Sequence, residues 1–204
     1  MIETLLSFAL ATSILALSPG PDNIFVLTQS LVNGRKFGLA TVFGLISGCL
    51  IHTTLLAFGV SVVIKESEKL FFAIKFFGAI YLLYLAYKVY KSDANIILSN
   101  KNVVKKTTSQ LFKQGFVMNV LNPKVSIFFL AFFPGFLYSD DSSTVIQFYV
   151  LGILFMLVSL IIFSTIAFLA GYISDRIKKN KNIGIYLKWI QVLVFVVIAI
   201  FILV

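Results

Sequence analysis

The chain has 204 residues, 59% of them apolar and only 12% charged, with a mean hydropathy of +1.00. A soluble domain of this size needs a charged coat that such a composition does not supply, so a soluble globular class is excluded. A single cysteine, Cys49, and a single histidine, His52, exclude disulfide frameworks and multi-ligand zinc sites. The net charge of +9 is spread along the flanks of apolar runs, which argues against a nucleic-acid-binding patch.

A helix needs about 20 apolar residues to cross a bilayer core. Six stretches qualify in chain order: 2–32, 37–64, 70–90, 112–138, 145–173 and 187–204. The first begins without the basic residues of a secretory signal, carrying only Glu3, and runs on without a cleavage site; it reads as a retained span. It is also too long for one straight crossing. The connectors are short and charged, apart from a polar, lysine-rich loop over about 92–111. The chain therefore reads as a single transmembrane domain over 1–204, all-α and multi-pass, with a first half of three spans over 1–91 and a second over 112–204.

Connector charge sets the orientation. The first connector holds Arg35 and Lys36; the third region holds Lys88, Lys91, Lys101, Lys105, Lys106 and Lys113 against Asp93. The fifth holds Arg176, Lys178, Lys179, Lys181 and Lys188 against Asp175. In the second, Lys65 and Lys69 are balanced by Glu66 and Glu68, and the fourth has Asp140 and Asp141 alone. Basic loops stay cytoplasmic, so the odd connectors lie inside and both termini outside the cell. Three spans per half then give the second half opposite polarity, a 3+3 inverted repeat of the kind found in secondary transporters.

Two helix breaks carry the chemistry. Ser18, Pro19, Gly20, Pro21 and Asp22 interrupt the first span, and Asn122, Pro123 and Lys124 interrupt the fourth. Proline lacks the backbone donor and collides with the preceding turn. Freed polar groups at membrane depth survive only when buried in protein or lining a wet cavity. Pro21 and Pro123 lie 102 residues apart, half the chain, and the same offset relates Asp22 to Lys124. Broken segments at matching positions of two halves point to a transporter binding site. Both charges fall about 16 Å from the cytoplasmic end of their span, near mid-membrane.

A charged side chain at that depth costs about 2.5–3.5 kcal/mol on insertion scales. Asp22 opens the second half-helix of its span; it either caps that helix or serves as a proton carrier or counter-ion for a substrate ammonium. Lys124 opposes the positive end of its own helix dipole, so its expected partner is an anion, Asp22 or a substrate carboxylate. A zwitterionic amino acid suits such a pair, and a Lys–Asp lock without a transport role is the alternative. Asn122 is a good cap, and Asn119 either lines the cavity or satisfies broken backbone. His52 is expected to pack between helices, with a proton relay as its other possible role. Gly38, Gly44 and Gly48 favour close helix packing, within the chain or in a homodimer.

No phosphate-binding loop GxxxxGK[ST] occurs, which argues against ATP-driven transport by this chain. No nucleophile set, metal cluster or cofactor motif suggests catalysis, so no cofactor is expected. The competing classes are an ion or metal exporter or channel, and a non-transporting membrane scaffold. A channel should show polar stripes along several spans, whereas here polar residues gather at the two breaks.

Taken together, the run 18–23, the series Gly34, Gly38, Gly44 and Gly48, the segment 77–82 and the run from Phe112 through Gly115 and Asn119 to Lys124 resemble the LysE/RhtB family of bacterial amino-acid exporters over nearly the whole chain. The resemblance implies a six-helix inner-membrane carrier that expels amino acids or related metabolites, driven by the proton-motive force. Two departures stand out. The last span lacks the expected glycines, having Gln191 and Ala199, and Gly135 replaces a larger polar residue. These departures put the packing of the sixth span and any contact near Gly135 in question.

Overall fold

A computed structural model describes residues 1–18, 20–93, 106–139, 141–179 and 182–203. Pro19, Asp140, Lys181, Lys101 and Lys105 of the sequence analysis lie outside the described residues, as does most of the lysine-rich loop. Among the described residues every regular element is helical.

The first span is two half-helices, α1 (Ile2–Leu17) and α2 (Pro21–Val32), bent by 62°. Gly34, at φ 96°, turns the chain into α3 (Arg35–Leu55), a conformation that L side chains resist. A π-helical turn, Leu56–Val60, carries α3 into α4 (Ser61–Glu66). Ser67 then caps α5 (Glu68–Lys91), its hydroxyl accepting from the Leu70 amide. The fourth span opens with α6 (Thr108–Val120), started by a reciprocal capping box of Thr107 and Gln110. It breaks by 48° into α7 (Pro123–Ile127), followed by a π-helical turn, Phe128–Phe132, and a 3-10 turn, Phe133–Phe136. α8 (Thr144–Phe168), α9 (Ala170–Lys179) and α10 (Ile183–Leu203) complete the chain.

Four helices are long and apolar enough to cross a membrane, and six spans result if each bent pair counts as one. The fifth stretch is shorter than its apolar run suggested: the helix stops at Phe168, and residues 170–173 belong to α9. That short helix carries Asp175 and Arg176 on exposed positions, so apolar content alone overran the end of the crossing. Large apolar side chains such as Leu157, Ile161, Leu193, Val197 and Ile200 stand exposed along α8 and α10, a surface suited to lipid and not to water.

Two apolar clusters fill the interior. The larger contains Phe8, Leu15, Cys49, Val125, Phe128, Phe129, Phe133 and Phe155; the smaller contains Val26, Val42, Leu45, Phe163 and Ala167. Four chain segments run between them. The α1–α2 pair and α8 pass from the larger cluster to the smaller, while α3 and α6–α7 pass the other way. This alternation is what successive antiparallel crossings produce. The residues met midway are Ser18 and Asp22, Asn119, Asn122 and Lys124, and Ser159. A polar layer thus separates two apolar ones.

α3 and α6 form the tightest contact. A Cβ on Gly44 would lie 2.1 Å from the Phe112 carbonyl oxygen, and one on Gly115 would lie 2.4 Å from that of Thr41. The glycine series is therefore used inside the chain, where it brings two backbones together. α10 packs along α5 with Ala199 buried, and Phe201 lies beside Gly135, where an added Cβ would fall 3.5 Å from its ring. Phe201 of the sixth span thus sits over Gly135 and against the rings of Phe132 and Phe136.

Gly44→Val should lower the stability of the protein in detergent by about 3 kcal/mol through overpacking. Gly59→Ala, at a site with nothing within 4 Å of the added carbon, should be close to neutral. Thermal unfolding of the two variants checks the contrast.

Candidate functional site

The broken first span leaves carbonyls at the end of α1 without helical partners, and three of them find one from elsewhere. The Ala16 carbonyl accepts from Asn23 Nδ2 at 2.7 Å. Those of Leu15 and Ser18 accept from Lys124 Nζ, each at 3.2 Å. The Lys124 ammonium also sits 5.6 Å from the centre of the Phe195 ring. An anionic partner was expected for this cation. Asp22 lines the same cavity, and the ammonium's hydrogen bonds go to the negative end of a helix dipole, which disperses its charge over two carbonyls. An ammonium has three donors, so one remains for another acceptor.

Asn122 ties the two breaks together. Its Oδ1 accepts from the Lys124 backbone amide at 3.0 Å, capping α7, while its Nδ2 donates to Asp22 Oδ2 at 2.8 Å. Pro21 and Pro123 each occupy the first turn of their half-helix, where the missing N–H costs nothing. Asp22 makes no cap bond within α2. It is buried, at 6% exposure, and its Oδ1 has no hydrogen-bond partner. A buried carboxylate oxygen without a partner is costly, and it marks the place where a cationic or protonated group fits.

His52, at 7% exposure, holds the other loose end. Its Nε2 lies 3.1 Å from the Asn119 carbonyl oxygen. A carbonyl can only accept, so Nε2 carries the proton. The ring also packs against Phe129, with centroids 5.3 Å apart. The Asn119 side chain presses against Gly48, where a Cβ would fall 2.7 Å from Oδ1, and that oxygen has no hydrogen-bond partner either.

These groups converge on one small cavity. Gly20, Pro21, Asp22, Asn23, Asn119, Asn122 and Lys124 line it, with Cys49, Phe155, Ser159 and Phe163 facing it from α3 and α8. Ser18 contributes the carbonyl that holds Lys124 but is not among the lining residues. The cavity measures about 30 Å³, room for a water or two and too little for an amino acid. Towards the larger cluster it is closed by phenylalanines: Phe155 on Phe129 at 4.9 Å, Phe129 on Phe133 at 4.1 Å and Phe133 on Phe8 at 4.8 Å. A larger groove of about 620 Å³ runs between α1 and α10, but Glu3 is the one ionisable group lining it. Size favours that groove and chemistry favours the central cavity; convergent polar groups decide for the latter.

Asp22, Asn119, Asn122 and Lys124, singled out from the sequence, line this one cavity, whereas Asn23 and Ser159 were missed. Asn23 stood in the first motif without a role. Ser159 is the one polar side chain between Val150 and Phe163, and that isolation was the available signal.

The model of the LysE type translocator family matches residues 13–204. The chain belongs to that family. LysE type translocators are transporters, not enzymes, and the helices described above make this one a multi-pass membrane protein. It is 30% identical over 178 residues to a homoserine/homoserine lactone efflux protein of Salmonella typhimurium, covering 86% of this chain and 84% of the relative. It is 30% identical over the same length, with the same coverage, to a homoserine/homoserine lactone efflux protein of Salmonella typhi. No solved structure matches the chain.

For this translocator, Asn122→Ala should remove the α7 cap and the Asp22 contact together, costing about 2–3 kcal/mol. Asn122→Asp should cost more, since it sets a second carboxylate against Asp22. Chemical denaturation in detergent, read against wild type, checks both the loss and the order.

Proposed function

We propose that the protein is a secondary active exporter of amino acids or closely related small metabolites, working by proton antiport across the bacterial inner membrane. The observation that carries this reading is a buried carboxylate oxygen without a partner, Asp22 Oδ1, in the same cavity as the Lys124 ammonium. The names of the Salmonella relatives, efflux proteins for homoserine and its lactone, support a small amino-acid-like cargo.

The residues suggest the following cycle. The substrate carboxylate meets the third donor of Lys124, and its ammonium meets Asp22. A proton arriving from outside neutralises Asp22, which then no longer holds the ammonium, and the substrate leaves outward. The protonated site returns and gives its proton to the cytoplasm. Substrate and proton compete for one carboxylate, which is the minimal requirement for antiport. Since the cavity is too small for an amino acid, loading requires the two apolar layers to part in turn, and the phenylalanine layer beside Phe155 is the barrier on one side.

For His52, the bond to the Asn119 carbonyl favours a role in holding the end of α6 over a proton relay. The 3+3 inverted repeat is supported by the proline at the start of each second half-helix and by the paired bends. The orientation with both termini outside is supported by connector charge, although Asp140 and several of the counted lysines lie outside the described residues.

Efflux of labelled amino acids from proteoliposomes should accelerate when the outer compartment is made acidic and lose that acceleration with a protonophore. Asp22→Asn should abolish gradient dependence, and Lys124→Ala should lower efflux by at least about tenfold, as expected for a lost charge-assisted contact. Gradient-independent efflux in wild type would overturn antiport. In a Cys49→Ser background, Ser67→Cys should react with an impermeant maleimide added outside intact cells and Ser92→Cys should not; the reverse pattern would invert the orientation.

A further inference from the structure

Hydroxyls inside apolar helices normally bond back to the carbonyl one turn earlier. In this protein Ser13, Ser30, Thr41, Ser47, Thr53, Thr54, Ser126 and Thr165 all do so. Ser159 does not. It is 1% exposed, its Oγ has no hydrogen-bond partner, and it lines the central cavity. The apolar turns on either side contribute Phe155 and Phe163 to the same lining, so one face of α8 forms a cavity wall in which Ser159 supplies the polar atom.

The cavity has walls of two kinds. The breaks of α1–α2 and α6–α7 bring the carboxylate of Asp22 and the ammonium of Lys124, which suit the charged ends of an amino acid. α3 and α8 bring Cys49, Phe155, Ser159 and Phe163. An amino acid held by its charged ends presents its side chain to that second wall. Cys49 Sγ is already committed to the Leu45 carbonyl at 3.5 Å, which leaves the Ser159 hydroxyl free to donate or accept there.

We propose that Ser159 is a specificity-determining residue that reads an oxygen on the side chain of the exported amino acid, selecting short hydroxylated or carbonyl-bearing cargo over purely aliphatic cargo. The inference rests on the exporter reading above. A buried hydroxyl left unpaired by an aliphatic substrate penalises that substrate, whereas one paired with a substrate oxygen does not.

The test is competition between L-homoserine and L-2-aminobutyrate, which lacks the side-chain oxygen, in proteoliposomes of the full chain. The readout is the ratio of the two efflux rates, which cancels differences in the amount of folded protein. Ser159→Ala should lower the homoserine preference about tenfold, the size of one well-made hydrogen bond, and Ser159→Thr, which keeps the hydroxyl, should retain it. An unchanged ratio in Ser159→Ala, or equal loss of both activities, would overturn the assignment while leaving the exporter reading intact. Wild-type protein that moves neither of these two would overturn the assignment, and the exporter reading falls with it when no labelled amino acid is moved at all.

Discussion

A membrane helix that stops midway frees carbonyls at one end and amides at the other, at a depth where no bulk water can satisfy them. In this translocator three of the four broken ends are closed by side chains, while the start of α2 has no side-chain cap. Lys124 serves the end of α1, Asn122 caps α7 and holds Asp22, and His52 serves the end of α6. The two breaks are therefore one structure. Lys124 and Asn122 of the fourth span bond the Leu15 and Ser18 carbonyls and the Asp22 carboxylate of the first, and these bonds hold the two spans together at the middle of the molecule.

That constraint explains why the glycines lie where they do. For His52 on α3 to reach the Asn119 carbonyl, α3 and α6 must run in near contact, and the bare backbones at Gly44, Gly48 and Gly115 permit it. It also explains the division of the interior. Polar groups that must meet one another occupy a single layer, and apolar side chains are left to fill the space on either side. On one side the filling is largely aromatic, with stacked and edge-on phenylalanines that make a dense seal.

Under the proposed function, the central cavity is a site that is chemically furnished yet nearly closed. Unpaired buried atoms on Asp22, Asn119 and Ser159 line a cavity of about 30 Å³. Leaving such atoms unsatisfied destabilises this conformation, and a substrate that pairs with them lowers the energy of whichever conformation admits it. A transporter needs that arrangement, since a site fully satisfied by its own protein has no reason to open for cargo.

Much of this was present in the linear chain. Hydropathy located the crossings, because a run of about 20 apolar residues has few other homes. The prolines located the breaks, because a residue without an N–H cannot sit inside a helix unnoticed. The matched offset of Asp22 and Lys124 implied a common depth, and both residues line the same cavity. What the chain could not state was which group satisfies which. Lys124 was expected to face Asp22 or a substrate carboxylate; that its hydrogen bonds run to carbonyls was not legible, because the polarity of a helix end belongs to the backbone and carries no residue code. The end of α8 at Phe168 was hidden for a related reason: apolar residues continue into α9, and helix geometry, not composition, ends the crossing. Ser159 was passed over because a serine in an apolar helix usually bonds its own backbone. Only the tertiary structure, by bringing α8 against the two breaks, decided that this one does not.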